Sequence, residues 1–511
     1  MRPNAILNRR AILKYYLVAL WGVCLYRAIT QSITHDEALT YQLYIAAPFS
    51  RIFSYFDTNH HFLNTLLIRL SVALFGISEW SVRLPELAGA ALYFVAVYQI
   101  GVKMFRTAAA SLLAVALLTL NPFVLDFMVA ARGYGMALAL FTYALAELLT
   151  YALEKDSEKP RRTLLVRAGI ALALSIAAHL IFAVPVFLAA VIALLLFRPA
   201  RGIPAPTADA SPILKKKRKK KADVGLRKTV PNPVYGWFFA PMVAAGLLFF
   251  MLAPLDKANH NSGFLLGGAS VAESLRSLAS ASLEYGGFLR KFHFMHLEID
   301  AVAFFIAPAI LIAALALGIR RRNVLLLFTA GTGIGSAVVL FLAHALLNIP
   351  YPIDRTGIYF LMLVPLCIPA LAESGVATGP LRKTAAALLY GFGLALVLQF
   401  ASQFTVRSFL TWQYCADVRQ IVDRLAQTIT KRQPDSVTVG ASWQLEPSLN
   451  FYLDKEQLTW MRPVERGSLT PGADVYVIMP WDRSTIRSLG LKPVYRWPLS
   501  GAILAVPVPP R

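Results

Sequence analysis

Through most of its 511 residues the chain alternates long uncharged apolar runs with short polar segments, and this rhythm stops near residue 404. Leu112–Leu120 and Ala171–Phe197 are two such runs. A helix needs about 20 apolar residues to cross the hydrocarbon of a bilayer, so the pattern predicts membrane spans. They fall at about 13–33, 84–105, 108–127, 134–152, 163–179, 181–197, 235–253, 301–319, 323–347, 357–374 and 385–404. With the amino terminus inside, nearly every basic cluster outside the polar tail lands on one face. These are Arg9, Arg10 and Lys14; Lys103 and Arg106; Lys155, Lys159, Arg161 and Arg162; Lys215–Lys221; Arg320, Arg321 and Arg322; and Arg382 and Lys383. Cytoplasmic loops carry this bias.

Residues 62–77 test the threading, because they are nearly long enough to span. A span there would move every later loop to the other side and turn Lys215–Lys221 outward. It would also place Arg69 at mid-bilayer, at a cost of about 2.5–3.5 kcal/mol. The segment is therefore read as an amphipathic helix lying in the outer interface. The first outer loop then covers 34–83. A second outer loop, 254–300, carries Tyr285, Lys291, His293, His296, Glu298 and Asp300.

The fold class expected is a polytopic α-helical membrane protein of about eleven spans, residues 1–404, with outer-face interfacial helices. Residues 405–511 follow as a small outer α/β domain. Alternation in 436–439 and 475–479 predicts short strands there, and 418–430 predicts an amphipathic helix. The inner loop 198–234 is Pro-, Ala- and Lys-rich and reads as disordered; its basic run would favour anionic lipids.

Composition sharpens this picture. Hydrophobic residues make up 57% and charged residues 15%, against the roughly 25% charged of a soluble chain. The net charge of +22 sits in short loops between apolar runs, which excludes a nucleic-acid partner. Three cysteines set no disulfide framework, and the first apolar stretch lacks a small-residue cleavage site, so it reads as a retained signal anchor.

Candidate chemistry gathers on the outer side. Thr34-His35-Asp36-Glu37 fits a capping box, and it also fits Asp36 as a general base or metal ligand supported by Glu37. Asn59-His60-His61 precedes the interfacial helix; adjacent histidines point apart and make a poor metal pair. Arg132-Gly133-Tyr134 puts an arginine outside, against the orientation bias, where a phosphate is the natural partner for a guanidinium. Headgroup binding without catalysis is the alternative. Arg83 and Arg355 are also outside, with Asp354 able to neutralise Arg355. His179, between two spans, reads as a structural histidine. Gly331–Gly335 lies within a span, which indicates close helix packing rather than a nucleotide loop.

In this order the motifs resemble a known family. An outer Asp36-Glu37 follows the first span, then His60 and a helix ending Leu74-Phe75-Gly76, Arg83-Leu84-Pro85, Asn121-Pro122 and Ala131-Arg132-Gly133-Tyr134. The sequence is similar to bacterial members of the dolichyl-phosphate-mannose protein mannosyltransferase family, of the GT-C superfamily, whose architecture the aminoarabinose transferases share. The resemblance is strong over about 30–200, fainter to 400 and absent from the tail. It implies a GT-C-like fold in a bacterial inner membrane. It also implies transfer of a sugar from a polyprenyl-phosphate carrier to an outer-face protein, lipid or glycan acceptor. Asp36 would match the essential acidic residue, with Glu37 beside it. His60, His61, Arg83, Arg132, Tyr134 and Arg355 would bind substrate. The family's His-Pro-Pro-Leu stretch is here His60-His61-Phe62-Leu63, without the prolines. A divalent cation, magnesium or manganese, at Asp36 and Glu37 is left open. One catalytic carboxylate without a second nucleophile implies inversion. The rival readings are a secondary transporter or lipid flippase, for which no internal repeat is seen, and a non-catalytic envelope scaffold.

Overall fold

The computed structural model describes residues 3–155, 157, 160–197, 234–255, 267–284, 295–375, 381–429, 436–467 and 469–508. The basic run Lys215–Lys221 and the outer-loop residues Tyr285, Lys291 and His293 lie outside the described residues.

Helices stand at every expected span. Seven described helices are long and apolar enough to cross a membrane: 8–30, 79–104, 134–154, 235–252, 298–321, 324–347 and 381–403. Helices Ala108–Thr119, Arg162–Ala178, Ala183–Leu196 and Phe360–Ser374 are shorter. The expected span 108–127 is broken in two. Asn121 leaves the helical conformation and its side chain caps the amides of Phe123 and Val124, so a new helix, Pro122–Phe127, starts at Pro122. Proline cannot donate to the preceding turn and biases the residue before it toward extended backbone, which explains the break. The segment Phe62–Phe75 is a helix of 14 residues, about 21 Å long at 1.5 Å per residue. Arg69 within it donates to the carbonyls of Tyr44, Ile45 and Ala47, closing the turn above it.

Packing among the long helices fits the glycine reading. A Cβ on Gly331, Gly333 or Gly335 would press on Ile192, Leu311 or Leu188 of neighbouring helices. Two charged residues join this interior as a pair: Arg27 meets Asp126, and Asp126 Oδ2 also accepts from Leu410 N at 2.7 Å.

The tail forms a four-stranded mixed sheet in the order β1-β2-β4-β3, with β1 Val439–Ala441, β2 Val475–Ile478, β3 Leu491–Arg496 and β4 Ile503–Pro507. Strands β1 and β2 are parallel, joined through the helix Glu446–Glu456, and the other pairings are antiparallel. All four residues of β2 are buried, because it is a central strand covered on both faces. The amphipathic helix Val418–Ile429 packs beside this unit.

The tail and the segment 34–83 share one apolar core. Tyr41, Tyr44, Ile45 and Ile52 cluster with Val418, Leu449, Phe451 and Val477. Polar contacts cross the same seam: His35 Nδ1 to Gln444 O at 2.8 Å, Ser32 Oγ to Ala416 O at 2.9 Å, and Tyr452 Oη to Glu79 Oε1 at 2.9 Å. Lys455 adds an ion pair to Glu79 at 3.1 Å.

Candidate active site

Asp36 sits in the first turn of a six-residue helix, His35–Thr40. Thr34 caps it, accepting from Glu37 N at 3.3 Å, while Glu37 Oε2 accepts from Thr34 N at 2.9 Å. The helix then widens into a π turn, Tyr41–Ile45, a distortion that recurs at functional sites.

The two neighbouring carboxylates face different surroundings. Glu37 is fully buried and its lone pairs are used. Oε1 accepts from Arg83 Nε and Ala131 N, both at 2.8 Å. Oε2 takes Arg83 Nη2 at 2.7 Å as well as Thr34 N. Arg83 is equally saturated, because its remaining donors go to the carbonyls of Ala28, Gln31 and Ser32. A guanidinium has five donors and a carboxylate about four acceptor sites, so this pair has nothing left to offer a ligand.

Asp36 is 14% exposed, with Arg355 Nη1 at 2.9 Å and Arg132 Nε at 3.5 Å from its Oδ2. Burial alone would raise its pKa. Arg132 and Arg355 outweigh that, helped by His35 and the Trp412 indole, and hold the carboxyl below the usual carboxylate range.

Each arginine is set by its own scaffold. Arg132 lies on a tight turn hung from two buried carboxylates: Glu37 takes Ala131 N, and Glu86 takes the amides of Gly133 and Met136. Gly133 is left-handed (φ 74°), and a Cβ there would meet Ala178 O at 2.6 Å. Arg132 Nη1 also reaches Thr40 Oγ1 at 3.2 Å. Arg355 lies on the turn Asp354–Gly357. Asp354 does not neutralise it: Asp354 bonds Ser277, leaving Arg355 to Asp36 and to the face of Tyr134, 6.0 Å away.

Both arginines line a cavity of about 810 Å³ with His60, His61, Tyr134 and His179. The adjacent histidines do point apart. His60 stacks on Tyr44 at 4.4 Å, and His61 stacks on His179 at 4.2 Å. Tyr134 lies 3.9 Å from the His179 ring. Burial pushes His60 down to about 4 and His61 well below its ordinary value, with His179, Arg132, His60 and Arg355 adding to the effect on His61.

Residues 59–204 match the family model described as dolichyl-phosphate-mannose-protein mannosyltransferase. No curated protein matches the chain in sequence. Among solved structures, ArnT from Cupriavidus metallidurans in the apo state is similar, with a TM-score of 0.52 and 11% identity, covering 98% of this chain and 97% of that one. The chain shares this GT-C-like fold. The same ArnT bound to undecaprenyl phosphate gives a TM-score of 0.45 at 15% identity, covering 98% of each chain. An oligosaccharyltransferase from Archaeoglobus fulgidus gives 0.39 at 12%, covering 96% of this chain and 72% of that one.

Within this GT-C fold, Asp36, Arg132, Arg355, His60, His61 and Tyr134 converge, whereas Glu37 and Arg83 form a sealed pair behind them. That donor set does not suit a divalent cation at Asp36 and Glu37. Glu37 is saturated, Asp36 is flanked by two cations, and among the described residues no three His, Cys, Asp or Glu side chains are placed to hold a metal. Glu86 escaped the sequence reading, and His179 was read there only as a structural histidine. Glu86 carried a signal, since a carboxylate inside an apolar span is costly without a task. His179 carried none beyond being a histidine, because its partners His61 and Tyr134 are distant in sequence.

Proposed function

We propose that the protein is an inverting glycosyltransferase. It moves a sugar from a polyprenyl-phosphate carrier to a hydroxyl of an outer-face acceptor, which is a protein, lipid or glycan. One observation carries this: a partly exposed carboxylate, Asp36, is held by two guanidiniums, Arg132 and Arg355, that also line a large cavity. The family match over 59–204 and the GT-C fold agree with it.

In this reading the carrier phosphate enters the cavity and takes hydrogen bonds from Arg132 and Arg355. Those donors are then shared with the phosphate, which frees Asp36 and makes it more basic. The Asp36 carboxylate accepts the acceptor's hydroxyl proton as the new C1–O bond forms. The C1–O bond to phosphate breaks on the opposite face, and the guanidiniums stabilise the charge on the departing polyprenyl phosphate. The membrane is a bacterial inner membrane, with the amino terminus cytoplasmic, the tail outside and the basic loop 198–234 against anionic lipids.

The test is to compare envelope glycolipids and glycoproteins by mass spectrometry with the wild-type protein, with Asp36→Asn and without the protein. A sugar that disappears in both the variant and the deletion supports transfer. An unchanged envelope in the variant supports a scaffold instead.

A further inference from the structure

Buried polar groups nearly always find partners, so those that do not are informative. Among the described residues His60 Nδ1 and Nε2, His61 Nε2, His179 Nε2, both amide atoms of Asn64 and Thr65 Oγ1 make no hydrogen bond. His60, His61 and His179 are 3%, 7% and 8% exposed. All three line the cavity that Arg132 and Arg355 enter, and Asn64 and Thr65 follow on the first turn of the adjoining helix.

The chemistry of this group differs from that of the arginines. His61 and His179 are stacked face to face beside two guanidiniums, so a proton on either ring would meet like charge on several sides. Neutral imidazoles offer one donor and one acceptor each. His179 Nδ1 accepts from Ile181 N at 3.4 Å, which fixes the tautomer and makes its Nε2–H a donor. His61 has the opposite freedom, with its Nε2 unpaired and able to take either role. The group as a whole therefore holds uncharged donors and acceptors together. A phosphate only accepts, and would leave half of them unpaired. Hydroxyls both donate and accept, and several on one ring match this edge.

We propose that His61 and His179 form the sugar-recognition edge of the cavity, hydrogen-bonding hydroxyls of the carrier-linked sugar while Arg132 and Arg355 hold the phosphate. This rests on the transferase reading above. It divides the cavity into a charged end that reads the carrier and a neutral end that reads the sugar, and it makes His179 a specificity-determining residue.

The experiment uses the full-length protein in lipid nanodiscs. The probes are undecaprenyl phosphate and its mannose-, glucose- and arabinose-linked forms. His179→Asn keeps a side-chain acceptor for Ile181 N and removes the Nε2–H. His61→Phe keeps the stacked ring and removes its nitrogens, whereas His61→Gln returns an amide near the Nε2 position. Wild type should bind one sugar-linked form more tightly than undecaprenyl phosphate. His179→Asn and His61→Phe should each lose that preference by about tenfold, the scale of one hydrogen bond to a neutral ligand. Both should bind undecaprenyl phosphate as wild type does, and His61→Gln should recover part of the preference. Equal weakening for sugar-free and sugar-linked carriers would assign the imidazoles to the phosphate and overturn the proposal. So would a wild-type preference that survives in both variants, or a wild type that binds all four lipids equally. A wild type that binds none of them would bring down the transferase reading itself.

Discussion

At the scale of single residues, Asp36 and Glu37 are neighbours with separable roles, and substitution distinguishes them. Asp36→Asn keeps size and capping ability. It should lower turnover by about 10²–10⁴, the usual range for a lost general base, with little change in thermal stability or carrier binding. Glu37→Gln should do the reverse. Removing one partner of a buried ion pair leaves the other uncompensated, here Arg83, and costs about 3–5 kcal/mol. Thermal unfolding of both variants in detergent would show it, and an unaffected Glu37→Gln would refute the sealed-pair assignment. The pH profile carries its own sign. Because the Asp36 carboxyl is held low, its ionised form persists as pH falls, and the free-enzyme limb seen in kcat/KM should lie below the ordinary aspartate range. Donor phosphate draws the arginines away, so the limb in kcat should lie higher. Coincident limbs would contradict the coupling. Arg132→Lys keeps charge but loses the planar fork, and should weaken carrier binding and slow turnover together.

At the scale of elements, the site depends on short, unusual pieces of backbone rather than on the long helices. The turn Ala131–Tyr134 needs a left-handed residue at Gly133 and two buried carboxylates beneath it. Gly133→Ala should add about 1–2 kcal/mol of backbone cost and drive a Cβ into Ala178 O. Turnover should fall with it, and a fully active Gly133→Ala would show that the turn has more freedom than its contacts allow. Much of this element was legible in the sequence. Thr34 and Glu37 announced the capping box, and Arg132-Gly133-Tyr134 stood out against the charge bias. The break at Asn121 was passed over because the flanking residues are equally apolar. Glu86 was passed over, and His179 was read as structural, because their meaning comes from partners 45 to 118 positions away.

At the scale of the whole molecule, the tail was legible as strands and a helix but not as part of the site. Local periodicity marks strands, whereas docking depends on residues such as Gln444 and Tyr452 meeting His35 and Glu79, which no local pattern encodes. The shared core predicts what truncation does. A chain ending at Ser408 should still insert, since the last apolar helix closes at Gln403. It should lose turnover and become protease-sensitive within 34–60, because Tyr41, Tyr44 and Ile45 lose their cover. Near-normal turnover of the truncated chain would show the tail to be an appendage.

The seam between the Asp36 helix and the tail also sets a clock. His35 and Gln444 are 409 positions apart, and a ribosome adding about 5–20 residues per second needs roughly 20–80 s to connect them. On the proposed orientation the carboxylate is exported throughout that interval, before the surface that seats its helix exists. On the proposed function, the nascent protein would therefore be inert toward the lipids it is being inserted among. Activity becomes a certificate of completion: a chain cut short by a premature stop or clipped during export displays Asp36 but not the seated helix that transfer requires.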